Sequence, residues 1–183
     1  MSDPWPEGVA RHVLARTDST NAAGLQLAPS LTGPAWIMAH EQVAGRGRRG
    51  RAWVMPAGNF AGTLVLRPGG GPQAAAQLSF VAALALHDAL TDACGPAARL
   101  AIKWPNDVLL NGGKVAGILL ESAGSGGQVT AVAVGIGVNL AAVPDTGTIE
   151  PGAITPVSVL GETGFRTAPE DFLDLLLSLI HIS

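Results

Sequence analysis

Cysteine occurs once in these 183 residues, at Cys94. No internal disulfide can form, and a reducing, cytoplasmic compartment fits. Cys94 stands in T-D-A-C-G-P at a predicted helix end, with no basic neighbour to activate it, and reads as a structural thiol. Charge is scarce as well: charged residues make up 14% of the chain and the formal net charge is −3. General nucleic-acid binders are more often basic overall. Aromatic residues contribute 4%, with no stacking platform on a basic face for single-stranded RNA. The most apolar run, residues 74–86, holds Gln77 and Ser79 and falls short of the ~20 residues of a membrane span. The N-terminus, M-S-D-P-W-P-E-G, has neither the basic nor the apolar part of a signal peptide. Repeats, low-complexity tails and linkers are missing. A single cytosolic domain is expected, long enough to bury a sizeable core.

Against this scarcity one stretch is dense. Residues 41–53 read E-Q-V-A-G-R-G-R-R-G-R-A-W, with Arg46, Arg48, Arg49 and Arg51 set among Gly45, Gly47 and Gly50. Four of the 11 cationic side chains therefore lie within six residues. Such a segment has no apolar period, and its charges repel one another unless an anion sits among them. Glycine allows close backbone approach, and arginine offers a fixed fork of donors to phosphate or carboxylate. The expectation is a mobile anion-binding loop that closes on its ligand. A solvated loop, or a nonspecific RNA contact, is the alternative that this segment alone leaves open.

The surrounding pattern alternates strands and helices. Residues 11–16 predict a strand, and D-S-T-N at 18–21 caps a helix running to about Ala28 that Pro29 ends. The free N–H groups of that helix start can hold a carboxylate or a polar head group, although plain capping accounts for the same residues. Residues 35–40 and 62–67 read as strands, the glycine run after Pro68 as a turn, and residues 73–94 as a long alanine-rich helix. Asn111-Gly112 lies between V-L-L and K-V-A-G-I-L-L, so residues 107–110 and 114–121 should form an antiparallel hairpin. Pro105 precedes it, and Lys103, Asn106 and Asp107 gather at its entrance. Residues 124–127 predict a second tight loop, and 130–140 a third strand opened by Gly135 and Gly137 near Asn139. After Leu140 the chain is turn-rich, and residues 155–160 lead into a helical turn. T-A-P-E at 167–170 is a capping box for a last helix, whose leucines should lie partly exposed unless further chain covers them. His87, alone within the long helix, is assigned no role.

Lysine is the rarest cation. Nine arginines stand against two lysines, Lys103 and Lys114, both in the hairpin block. Beside Gly, Asn and Asp, this suggests a need for a compact ammonium, with chance as the alternative.

Five blocks together resemble the catalytic domain of the biotin–protein ligases: D-S-T-N (18–21), E-Q-V-A-G-R-G-R-R-G-R-A-W (41–53), K-W-P-N-D (103–107), G-K-V-A-G-I-L-L-E (113–121) and G-I-G-V-N (135–139). The resemblance implies an α/β, class II synthetase-like fold, with a mixed, largely antiparallel sheet and helices packed on one face. It implies activation of biotin by ATP to biotinyl-5′-AMP, with Mg²⁺, and transfer to a lysine of a biotin carboxyl carrier protein. Such chemistry needs no enzyme nucleophile; it needs cations that position two mutually repelling anions.

By position, the resemblance gives the biotin head group to Ser19, Thr20 and Asn21, with Gln42, Gly45, Arg46 and Arg48 completing the biotin and phosphate loop. Arg48 and Arg51 should face phosphate. Trp53 should pack the adenine, though a core tryptophan would read the same. Lys114 should bridge the biotin carboxylate and α-phosphate, Gly117 should line biotin, and Lys103 should touch phosphate. Asn106 and Asn139 match adenylate-side residues, and Asp107 a group that positions Mg²⁺ or the incoming amine. The resemblance is to ligase-only members without a DNA-binding domain, so neither DNA nor membrane is an expected partner, while a homodimer is compatible. Members of the family usually continue into a small C-terminal β-barrel, so a truncated or artificially ended chain is expected here. The enzyme alternative is a lipoate or octanoate ligase of the same fold. The alternative of another class is an Arg/Gly-loop RNA-binding module.

Overall fold

The computed structural model describes residues 5–68, 71–145 and 152–180. Seven strands form one sheet: β1 (Ala10–Thr17), β2 (Ala35–Gln42), β3 (Phe60–Leu66), β4 (Leu100–Lys103), β5 (Asp107–Leu110), β6 (Gly113–Ser125) and β7 (Gln128–Val138). Among the described residues four α-helices accompany it: α1 (Thr20–Leu27), α2 (Pro72–Cys94), α3 (Val159–Thr163) and α4 (Pro169–Ile180). The strand order is β1-β2-β3-β7-β6-β5-β4. Only β1 and β2 pair in parallel, because α1 carries the chain back across the sheet between them; the other neighbours are antiparallel. The mixed, largely antiparallel sheet expected from the sequence is therefore what forms.

Alternation along the strands separates two faces. In β2, Trp36 and Met38 enter the main core, whereas Ala35 and Ile37 enter a smaller cluster with Val65 and Ala131. The main core lies beneath α2 and α4. Alanines 75, 82, 83, 85 and 89 bring α2 close to the sheet, and Cys94 is buried at its end. Burial pushes the Cys94 thiol up to about 11, so it stays protonated at neutral pH, as a structural thiol should. By length and composition α2 could cross a bilayer; in this fold it is the central helix of the core. Among the described residues α1 is the one α-helix on the opposite face, and the arginine-rich loop up to Trp53 covers part of the sheet beyond it.

Most elements lie where the pattern predicts them. Asn111 (φ 51°) and Gly112 (φ 90°) make the tight turn between β5 and β6, the left-handed pair that a two-residue hairpin requires. Ser19 is the N-cap of α1, its hydroxyl accepting from the Ala22 N–H at 3.4 Å. Pro29 falls within a single 3-10 turn, Ala28–Ser30, that closes the helix. Residues 155–160 lead, as expected, into α3, capped by Ser158.

Three expectations are corrected. Residues 100–103 form an edge strand, β4, where only a hairpin entrance was predicted. The last helix begins at Pro169 rather than behind a Thr167 cap, because proline at a first helical position needs no hydrogen-bond partner and fixes φ. Of its leucines, Leu173, Leu176 and Leu177 are buried together with Phe172, and only Leu175 and Leu179 are partly exposed as expected. Of the segments read from sequence, residues 69–70 in the glycine turn, 146–151 in the turn-rich stretch and 181–183 at the end lie outside the described residues.

Phe172 is fully buried and meets Phe60 edge to face at 5.3 Å. Phe172→Ala is therefore expected to destabilise the fold by ~3–5 kcal/mol, read as a lower midpoint in denaturant unfolding. A shift below ~1 kcal/mol would show that α4 is not part of the cooperative core.

Candidate active site

On the face that carries α1, β7 presents Ala131, Ala133, Gly135 and Gly137 in alternation, and β6 presents Gly117, Leu119 and Glu121 beside them. Small side chains make this part of the sheet a low floor. A cavity of about 290 Å³ stands on it, walled by the start of α1 and by the arginine-rich loop. Ser19, Thr20, Asn21, Gln42, Arg46, Arg48, Arg51, Trp53, Asn106, Asp107, Lys114 and Gly117, all expected at a site, line it together.

One end of the cavity is polar and close-knit. Gln42 Oε1 accepts from the Thr20 N–H at 2.9 Å and lies 3.2 Å from the Thr20 hydroxyl. Thr63 Oγ1 is 2.8 Å from Thr20 Oγ1 and 2.7 Å from Asn21 Oδ1. Asn21 Nδ2 donates to Glu121 Oε2 at 2.8 Å and to the Leu119 carbonyl at 3.1 Å. Arg46 in turn reaches Glu121 from the loop at 3.1 Å. Gly45 is buried between the Gln42 side chain and the Trp53 carbonyl, where any Cβ would collide with both.

The loop is not an open arc. Arg46 bridges to Ala52, the Gly47 N–H donates to the Arg51 carbonyl at 2.7 Å, and the Trp53 N–H to the Gly45 carbonyl at 2.8 Å. Arg48 opens a 3-10 turn, and its guanidinium donates to Asn106 Oδ1 at 3.0 Å. Asn106 is itself fixed, its Nδ2 donating to the Ile118 carbonyl at 2.9 Å. Arg46 and Arg48 thus fasten the loop to β6 and to the start of β5.

At the other end the indole of Trp53 rests across Gly117 and Gly137, which pair directly across the two strands. A methyl group at Gly137 would overlap the ring. Lys114 Nζ lies 5.7 Å from the Trp53 ring and 2.8 Å from Asp107 Oδ1. That carboxylate oxygen is buried; the ammonium neighbours it as a charge, without a well-aligned hydrogen bond. Trp53, Lys114, Arg51 and Ala52 also wall a second cavity of about 280 Å³, which reaches Asn139. Along β7, Gly135 beneath Asn21 and Gly137 beneath Trp53 are two residues apart, about 7 Å at strand rise.

Lys103 and Asn139 do not line the first cavity. Lys103 is exposed on edge strand β4, opposite Asp107, and lines neither cavity. Asn139 is buried and its amide spans structure: Nδ2 donates to the Val157 carbonyl at 3.2 Å, while Oδ1 accepts from Asn59 at 3.4 Å. Two others were missed. Glu121 closes the block G-K-V-A-G-I-L-L-E and shares the face of Gly117 by strict alternation, a signal the sequence does carry. Thr63 is the one uncharged polar side chain in G-T-L-V-L-R, and nothing in that strand announces its partners.

A sequence profile of the biotin/lipoate A/B protein ligase family matches residues 13–139. The biotin–[acetyl-CoA-carboxylase] ligase of Paracoccus denitrificans is 79% identical over 164 residues, 90% of this chain and 68% of that protein. Among solved structures, the biotin protein ligase of Leishmania major in complex with biotinyl-5-AMP superposes with a TM-score of 0.78 at 26% identity, over 96% of this chain and 74% of that one. The Aquifex aeolicus biotin protein ligase in complex with biotin and ATP gives 0.74 at 26%, over 93% and 68%.

Proposed function

The chain belongs to the biotin/lipoate A/B protein ligase family, and on that footing we propose that it is an ATP-dependent biotin–protein ligase. The observation that carries this is the order of groups along one floor: an uncharged hydrogen-bonding pocket at Thr20, Asn21 and Gln42, then glycines, then the ammonium of Lys114. Biotin has that order, a ureido head, an apolar body and a carboxylate. The relatives in complex with biotinyl-5-AMP, and with biotin and ATP, support the same reading.

In the first step a biotin carboxylate oxygen attacks the α-phosphorus of ATP, the bond to the bridging oxygen breaks, and pyrophosphate leaves. Two anions must be brought together, and Lys114, Arg48 and Arg51 are among the cations that line the place. Trp53 would offer its ring to the adenine on the side of the second cavity. In the second step a lysine amine attacks the acyl carbon of the anhydride, an amide forms, and AMP departs with the bonding pair; the amine's proton passes to solvent or to a carboxylate such as Asp107. The acceptor we propose is a biotin carboxyl carrier protein of acetyl-CoA carboxylase, in keeping with the Paracoccus ligase's name.

The residues do not build a resident metal site. Among the described residues no three His, Cys, Asp or Glu side chains converge, and Asp107 is occupied by Lys114. Mg²⁺ enters in this proposal as MgATP, held mainly by phosphate oxygens and water. Lys103, exposed on β4, is reassigned here from phosphate contact to the protein surface. A cytoplasmic location, in keeping with the single buried thiol, is part of the same proposal.

The protein should catalyse biotin-dependent exchange of labelled pyrophosphate into ATP, with no exchange when lipoate replaces biotin. A long apolar slot would be needed for a chain acid, whereas this cavity is polar at its closed end. Equal exchange with lipoate would overturn the substrate assignment in favour of the sister activity.

A further inference from the structure

We propose that Asn59 is a positioning residue for the nucleotide half of the site, a role that rests on the reading of the second cavity as the adenylate side. β3 and β7 pair as far as Phe60 and Val138. Asn59 stands just before β3 and is buried, and its side-chain amide takes over where the backbone ladder ends. Oδ1 accepts from the N–H groups of Ala141 and Ala142 at 2.9 and 3.0 Å, and Nδ2 donates to the Ala142 carbonyl at 2.8 Å. Nδ2 also lies 3.4 Å from Asn139 Oδ1. The three backbone partners fix the orientation of the amide, because an N–H group only donates and a carbonyl only accepts. Ala142 is thus held by both its N–H and its carbonyl, from one side chain anchored at the start of a core strand.

The segment so held is a wall of the second cavity. Asn139 and Pro144, which flank the residues that Asn59 grips, line that cavity together with Trp53 and Lys114. Asn139 has supports of its own: its N–H donates to the Val115 carbonyl and its carbonyl accepts from the Val159 N–H. For Ala141 and Ala142 the amide of Asn59 supplies that support. Both alanines are half-buried, so water can satisfy their backbone groups once the amide is gone, and the segment is then free to leave its place. Asn59 lines neither cavity, and no residue of 139–144 lines the first. Loss of the amide should therefore be felt by the nucleotide and not by the biotin head group at Thr20, Asn21 and Gln42.

The test separates the two halves of the site. Asn59→Ala removes the amide and leaves room for water, whereas Asn59→Leu removes the hydrogen bonds but keeps the volume. In both, KM for ATP in biotin-dependent pyrophosphate exchange should rise about tenfold, as for a wall in place in a tenth of the molecules, while Kd for biotin alone, by calorimetry, stays within about twofold. The exchange rate at saturating ATP should change little, since bound ATP returns the wall to its place. Hydrogen exchange read by mass spectrometry should show the amides of Ala141 and Ala142 losing protection while β3 and β7 keep theirs. A merely structural role would lower the melting point and weaken biotin and ATP together, without splitting them. An unchanged KM for ATP in a folded variant, or equal losses for both ligands, overturns the proposal. So does failure of both variants to fold, which would make Asn59 a residue of the fold alone. A wild-type protein without biotin-dependent exchange would instead overturn the functional reading on which the proposal rests.

Discussion

Lys114→Ala is expected to slow biotin-dependent pyrophosphate exchange by at least ~10²-fold, the usual cost of one preorganised electrostatic donor. Lys114 is held from both sides of its peptide: its N–H donates to the Thr155 carbonyl and its carbonyl accepts from the Val157 N–H, each at 2.9 Å. The side chain reaches over Gly117 into the partition between the two cavities. An ammonium has three donors. Asp107 neighbours it as a charge without an aligned hydrogen bond, so the donors remain for the carboxylate and the α-phosphate as charge builds between them. Lys114→Arg should not restore the rate, because a planar fork cannot replace a point charge in a space bounded by Trp53 and Asp107. The comparison is exchange rate at saturating substrates, with melting points to show that the variants fold. A near-normal rate in Lys114→Ala would remove Lys114 from the chemistry.

The elements that carried strong local signals were legible in the sequence. Asn111-Gly112 defined a hairpin because its left-handed backbone requirement is met by few residue pairs. The continuous apolar run of residues 35–39 marked a buried strand, and the structure divides it between two clusters, Trp36 and Met38 on one side and Ala35 and Ile37 on the other. Edge strand β4 was not legible. Leu100–Lys103 has four residues and no clean alternation of burial, so its existence depends on β5 offering an unpaired edge. The site follows the same division. Residues announced by glycine and arginine spacing reached the cavity, because a backbone that must approach a ligand writes itself locally. Lys103 did not, since a position at a hairpin entrance says nothing about which edge of the sheet it will occupy. Asn139 lines the second cavity beside Trp53, as an adenylate-side residue should, while its amide bridges Asn59 and Val157. Glu121 and Thr63 escaped for a different reason. Alternation places Glu121 on the face of Gly117, but the partner of both, Asn21 on α1, is 100 and 42 residues away, and a linear pattern holds no trace of that pairing.

Arg48→Gly should turn the protein into a source of free acyl-adenylate. Arg48 ties the loop to Asn106 and in the proposed reaction grips the phosphate of biotinyl-AMP, keeping the loop shut over an anhydride that water can cleave. A hydrogen bond to a charged group contributes roughly 1.5–3 kcal/mol. At ~1.4 kcal/mol per decade, losing it should speed release of the intermediate about 10–100-fold. Released adenylate acylates amines wherever it meets them, so a lysine-rich bystander protein should become heavily biotinylated in the presence of biotin and ATP. The enzyme itself should label weakly, because it carries two lysines in 183 residues. Of these, Lys114 is ion-paired with Asp107 and Lys103 stands exposed on β4, so self-labelling should concentrate on Lys103 and on the terminal amine. Blotting the mixture for biotin and mapping the modified peptides by mass spectrometry reads both results. A bystander no more labelled than with wild-type protein would refute the clamp, and modification of Lys114 in preference to Lys103 would refute the protection that its ion pair is argued to give.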